Sequence, residues 1–75
     1  MSLVTQMIVA EKYGARLNVE QLADVLGLTK VAIYNQISAE KFPVPTYKDA
    51  GKTFADYRDV AAYIDACRDR ARLAA

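Results

Sequence analysis

The stretch over residues 17–45, LNVEQLADVLGLTKVAIYNQISAEKFPVP, constrains this chain more than any other. Asn18 is a good helix N-cap, and Gln21 three residues later can return the bond as a capping box. Val19, Leu22, Ala23 and Leu26 then form an apolar stripe at helical spacing, and Ala23 suits a close crossing of two helices. Gly27 can take the positive φ that ends a helix. Thr29 caps a second helix, predicted over 30–39. Pro43 and Pro45 close the segment, because proline lacks an amide donor and keeps its predecessor out of the helical region. Two short helices joined by a brief turn containing Gly make a helix-turn-helix, here over 18–39.

Around that unit the chain has little to spare. Seventy-five residues, 53% apolar and 25% charged, suit one globular domain spanning 1–75. At this size only about 60% of the unfolded chain's surface can be buried. Cys67 is the single cysteine, so packing rather than an internal disulfide must hold the fold. A reducing, cytoplasmic setting is expected. No apolar run approaches the ~20 residues of a membrane helix. The run Met7-Ile8-Val9-Ala10 is followed by Glu11 and Lys12 and lacks the basic flank of a signal peptide, so neither a membrane nor a secreted location is expected.

Residues 3–13 are predicted helical. Leu3, Val4, Met7, Ile8 and Tyr13 recur near helical spacing, and Gly14 can end the helix in the left-handed conformation. The leading expectation is that this stripe covers the core; the alternative is that Leu3 and Met7 project outward as an oligomer contact. In the second helix of the motif, Ile33 and Ile37 should pack on Leu22, Leu26 and Leu28. Phe42 is expected to anchor the exit. Residues 46–48 and 53–55 read as two short strands joined through 49–52, with Gly51 at positive φ. This hairpin, 46–55, is the wing of a winged helix-turn-helix. The last helix, 56–73, is expected to start at an Asp56 N-cap with Asp59 in its first turn. Val60, Ile64, Cys67 and Ala71 form its core stripe, with Cys67 a small buried apolar residue. Asp65 and Asp69 lie near Arg68 and Arg72 as ion partners. The predicted class is mainly α with a small β-hairpin wing.

After the Thr29 cap, the exposed face of the second helix carries Lys30, Val31, Tyr34, Asn35 and Ser38. An ordinary surface helix would hold more Glu and Lys. Lys, Asn, Gln and Ser near the start of an exposed helix are the side chains that reach phosphates and base edges. A merely solvated polar face is the plainer alternative. Lys48 and Lys52 on the hairpin can reach a phosphate or the minor groove, or simply keep an edge hairpin soluble. Net charge is only +1, but residues 28–55 carry Lys30, Lys41, Lys48 and Lys52 against Glu40 and Asp49. Residues 1–27 carry Lys12 and Arg16 against Glu11, Glu20 and Asp24. Positive charge therefore gathers around the second helix and the segment after it. The tail, with Arg68, Arg70 and Arg72 against Asp69, can contact phosphates or fray.

Chemistry of other kinds has little to stand on. Histidine is missing and the cysteine is alone, so no metal site is arguable. The three glycines, at 14, 27 and 51, are scattered and build no phosphate loop. No pair of carboxylates shares a predicted cleft. The expectation is a protein with no catalytic residue and no cofactor.

These segments together resemble the excisionase and AlpA-like winged helix-turn-helix proteins. The resemblance is carried by LNVEQLA at 17–23, LGLT at 26–29, Ala32-Ile33-Tyr34 with Ile37, Phe42-Pro43, and Tyr57-Arg58-Asp59-Val60 with Tyr63-Ile64. Such proteins are small relatives of the MerR-type DNA-binding domain, found in phages, prophages and integrated elements. Residues 7–14, 42–47 and 59–65 are further similar to the pyocin activator family of prophage transcription regulators. The resemblance implies a sequence-specific regulator with its second helix in the major groove of double-stranded DNA and its hairpin at the flanking minor groove. Carried over by position, the reading residues are Thr29, Lys30, Val31, Tyr34 and Asn35. Val31 and Asn35 stand where the family often has basic residues, and 46–53 is poorer in arginine. A specific site calls for ~10⁻⁸ M or better, which few phosphate contacts do not supply. Self-association on DNA is therefore expected, as a two-fold dimer or a head-to-tail array on repeats, with RNA polymerase or an integrase as a further candidate partner. Rival expectations are an architectural excision factor, a protein-interaction module that kept the fold, and the DNA-binding piece of a phage packaging complex.

Overall fold

Among the described residues four helices and three short strands succeed one another as α1 (Leu3–Tyr13), β1 (Arg16–Asn18), α2 (Val19–Leu26), α3 (Lys30–Ser38), β2 (Tyr47–Asp49), β3 (Lys52–Asp56) and α4 (Tyr57–Ala74). The structure, a computed structural model, describes residues 2–74. It is mainly helical, with one antiparallel sheet in the order β1-β3-β2. Among the described residues no helix is long and apolar enough to cross a membrane.

The sheet is larger than the hairpin expected from the sequence. Residues 16–18 add a third strand, too short to show any alternation of its own. Leu17 lies opposite Ala55, and both are fully buried, so this pair ties the sheet into the core. The Tyr57 amide extends the same edge by donating to the Ala15 carbonyl at 3.2 Å. On the other side Tyr47 faces Phe54 and Asp49 faces Lys52, which moves the first hairpin strand one residue beyond the expected 46–48. The turn is held by Ala50 at φ 53° and Gly51 at φ 79°. Two positive φ values suit the twist of a two-residue hairpin. For Ala50 that conformation costs roughly 1–2 kcal/mol.

The two helices α2 and α3 form as their caps dictate. The Asn18 side chain accepts from the Gln21 amide at 2.9 Å, and the Gln21 side chain accepts from the Asn18 amide at 3.0 Å. Gly27 ends α2 in the left-handed region at φ 69°, ψ 30°. Thr29 caps α3 by accepting from the Ala32 amide at 3.1 Å. Leu22 and Ile33 are both fully buried where the two helices meet. Each such side chain contributes about 1.5–3 kcal/mol by leaving water. Leu28, expected to join them, is instead 38% exposed, because it sits in the turn rather than on either helix face. Phe42 does pack against the core, but the deeper anchor of the exit is Val44, buried between the two prolines.

The outer helices depart further from expectation. α1 spans the predicted residues but buries only Val9. Leu3, Val4, Met7 and Ile8 are 61–68% exposed, which corrects the reading that this stripe covers the core. Of the expected stripe only Tyr13 packs against the core; it does so beside Val9, on the opposite side of the helix, about half a turn from the other four. Gly14 has positive φ, 89°, yet its ψ of −162° is extended rather than left-handed. On α4, Val60 and Ala61 are fully buried and Ile64 packs against the core. The stripe fades beyond that point: Cys67 is half-buried and Ala71 exposed. The reason is that α1 begins level with Asp65, so nothing covers the last turns of α4. Asp65 itself, expected to pair with an arginine, accepts from the Ser2 amide at 2.7 Å and the Thr5 hydroxyl at 2.8 Å. Asp56 caps α4 as expected, accepting from the Arg58 amide at 2.8 Å.

Candidate nucleic-acid interface

α3 presents two unlike faces. Ile33 and Ile37 fall on one side at i, i+4, the first fully buried and the second half-buried against the core. With those two fixed inward, Lys30, Val31, Tyr34, Asn35 and Ser38 must face solvent, and all five lie on the open side of the helix. Tyr34 is 50% exposed and Val31 67%.

The β2–β3 hairpin folds back toward this helix. Between them lies an open cleft of about 450 Å³, lined by Lys30 and Tyr34 of α3, Lys48, Gly51, Lys52 and Thr53 of the hairpin, and Asn18, Val19 and Glu20 at the start of α2. Four residues singled out from the sequence, Lys30, Tyr34, Lys48 and Lys52, thus share one concave surface although they span two separate elements. Thr29, Val31, Asn35 and Ser38 do not line it; they lie outside the cleft on the open part of α3 and its cap. The Thr29 hydroxyl oxygen already accepts the Ala32 amide and is occupied in holding the helix start.

Electrostatically the cleft holds three ammonium groups and one carboxylate. That carboxylate, Glu20, accepts from Lys30 Nζ at 3.0 Å, with both side chains more than half exposed. Sequence reasoning passed over Glu20, because an acid in the first turn of a helix is ordinary and its partner lies ten residues away on another element. Arg16 was also passed over as a site residue. Its guanidinium donates to Asp49 at 2.7 Å and lies 3.8 Å from the centre of the Phe54 ring. The hydrogen bond to Asp49 raises the Arg16 pKa further above its already high value. The effect on the hairpin is to neutralise Asp49, leaving Lys48 and Lys52 as its free charges. Tyr47 packs on Phe54 with ring centres 6.3 Å apart, which stiffens the hairpin beneath the lysines.

The arginine tail is not part of this surface. Arg68, Arg70 and Arg72 lie on the end of α4, and Arg70 Nη2 donates to Cys67 Sγ at 3.3 Å. The Cys67 thiol is held below its ordinary pKa by a hydrogen bond with Tyr63 and then by Arg70. Among the described residues no group of acidic, cysteine or histidine side chains gathers as a metal would need.

Comparison of the chain with protein families, with curated proteins and with solved structures returns no match.

Proposed function

We propose that this protein is a sequence-specific DNA-binding regulator of phage, prophage or mobile-element type, built as a winged helix-turn-helix. In this reading α2 and α3 are the helix-turn-helix and the β2–β3 hairpin is the wing. The observation that carries it is the shared cleft: two side chains of α3 and two lysines of the hairpin converge on one open, cationic concavity. An α-helix with its side chains is about 10–12 Å across, so the exposed start of α3 can enter a major groove about 12 Å wide. Lys48 and Lys52 then lie where the adjoining phosphates pass, and phosphate contacts of this kind fix register without reading sequence. Tyr34 and Asn35 face the base edges. The resemblance to AlpA-like and pyocin activator proteins agrees with this arrangement.

With three lysines partly offset by Glu20, one copy makes few phosphate contacts, so the protein acts as several copies on repeated or palindromic DNA near a promoter or attachment site. An architectural role in excision uses the same surface. The protein-interaction reading is favoured by one observation, the 67% exposure of Val31 on the reading helix.

The deciding experiment is an electrophoretic shift with the chain and a selected site. Tyr34→Ala combined with Asn35→Ala is expected to abolish discrimination between specific and random DNA while sparing the fold. Lys48→Ala combined with Lys52→Ala is expected to weaken binding to all sequences and to flatten the salt dependence by about two lysine equivalents. Unchanged specific binding in the first variant sinks the assignment of α3. Binding to a protein partner that is indifferent to salt favours the interaction module.

A further inference from the structure

We propose that a second copy of this chain covers α1, the two α1 helices packing antiparallel about a two-fold axis through Leu3, Val4, Met7 and Ile8. The proposal rests on the reading that the protein self-associates, and it selects the symmetric arrangement over the head-to-tail one. At about 100° per residue, these four side chains and Glu11 occupy one arc of the helix, opposite the arc that holds Val9 and Tyr13. All four apolar side chains are 61–68% exposed, and Glu11 is the one charge among them.

Charge identifies the occupant first. Glu11 lies in the last turn of its own helix, where a carboxylate meets the negative end of the helix dipole. No described cation pairs with it. At the other end of α1 the first turn contains no acid. In an antiparallel pair that sets Leu3 beside Ile8 of the second copy, and Val4 beside its Met7, each Glu11 arrives at the amide end of the opposite α1. Two badly placed charges become two favourable ones. Asp65 does not compete, because it holds Ser2 and Thr5 from the inner side of the helix.

Shape and area point the same way. Beside Ile8 a cleft of about 420 Å³ runs between α1, α2 and α4, walled by Val9, Val25 and Ile64 with Lys12 and Asp24 at its rim. A Leu3 side chain from the second copy, laid against Ile8, has this cleft to enter. The four residues expose on the order of a few hundred Å² of apolar surface, the scale at which such patches mark contacts. A stable interface takes roughly 800 Å² per partner, so the free dimer is weak and is completed on DNA. A head-to-tail contact needs a second apolar patch of matching size. The remaining large exposed apolar side chains lie on α3 and the turn before it, on the hairpin, and singly at Leu73.

Sedimentation equilibrium of the full chain without DNA, from micromolar to near-millimolar protein, tests this. The mass is expected to rise from 8.3 kDa toward twice that value and stop. Met7→Lys and, separately, Leu3→Lys are expected to hold it at the monomer value with unchanged helical circular dichroism. Glu11→Lys is expected to weaken association about fivefold or more, since two symmetric dipole contacts are lost. A mass that stays monomeric throughout, growth beyond two copies, or dimers that survive Met7→Lys overturns the proposal. As no DNA is present, such a failure leaves the assignment of α3 standing, while failure of the Tyr34 and Asn35 variant leaves the α1 pair standing.

Discussion

The two ends of this molecule are finished in different ways. Where α2, α3 and the hairpin meet, each helix start is closed by a side chain, the turn glycine has the conformation it needs, and apolar side chains point inward. The surface there is mostly polar, with Val31 its most exposed apolar side chain, and three lysines and Tyr34 converge on a cleft. Where α1 and the end of α4 lie, the core receives one buried side chain from α1, and four apolar side chains stay in solvent. The final turns of α4 run past the start of α1 with nothing packed over them. One end turns most of its apolar side chains into the core; the other leaves four exposed on α1, where the proposed second copy would cover them.

Core truncation separates the ends most sharply. Leu22→Ala removes a fully buried side chain from the α2–α3 crossing and is expected to cost about 2–5 kcal/mol. A domain of this size has a total stability on the order of 5 kcal/mol, so most of the fold is at stake. Leu3→Ala, made at the other end and measured where the chain is monomeric, is expected to change stability by no more than about 0.5 kcal/mol. Urea unfolding followed by circular dichroism gives both values. Comparable losses would mean that α1 is part of the core in solution, and the contrast between the ends would break.

The same contrast explains what could be read from the amino-acid sequence. The pair α2 and α3 was legible because its signals are local: Asn18 and Gln21 close a capping box within one turn, Gly27 and Thr29 lie two residues apart, and the stripe Val19, Leu22, Leu26 repeats on one helix. α1 offered an equally good stripe at Leu3, Val4, Met7 and Ile8, and periodicity alone cannot say whether such a stripe meets the core or a second molecule. β1 was hidden because its three residues owe their conformation to pairing with β3, at a distance of some forty residues along the chain. Of the candidate site, Lys30, Tyr34, Lys48 and Lys52 all stand out in the sequence, but the fact that they share a cleft depends on how the hairpin folds back. Glu20 and Arg16 acquire their roles only through partners far away in sequence.

Acid sensitivity gives an effect of intermediate size at the α1–α4 end. The Ser2 amide, and after it the Thr5 hydroxyl, holds the Asp65 carboxyl below the usual carboxylate range. A folded pKa below the unfolded one means that the contribution is complete above the unfolded value, about 3.9, and is lost as pH falls through the folded value. Asp56, lowered by its hydrogen bonds from Arg58, behaves likewise at the start of α4. Asp65→Asn is therefore expected to be less stable than the parent at pH 7 and nearly equal to it near pH 2, leaving the Asp56 share of the acid limb in place. Urea midpoints across that range measure the gap. A gap that does not narrow in acid would show that the Ser2 and Thr5 bonds do not depend on the charge.

The smallest change in stability carries the most information about the cleft. Glu20→Gln removes an exposed ion pair with Lys30 and one favourable charge from the first turn of α2, and should cost no more than about 1 kcal/mol. Its effect on DNA binding should have the opposite sign. In the free protein the Lys30 ammonium is 3.0 Å from the Glu20 carboxylate, so a phosphate must compete with that carboxylate and approach its charge. With glutamine at position 20 the competition ends, and Lys30 becomes a full phosphate contact. Affinity for DNA of any sequence should rise, and the slope of log K against log salt should steepen by about one. A variant that is slightly less stable, binds DNA more tightly and shows the steeper salt slope places the Lys30 side of the cleft against phosphate. If the variant loses stability and binds DNA no better, Lys30 serves to join α2 to α3, and the cationic surface of this end reduces to Lys48 and Lys52.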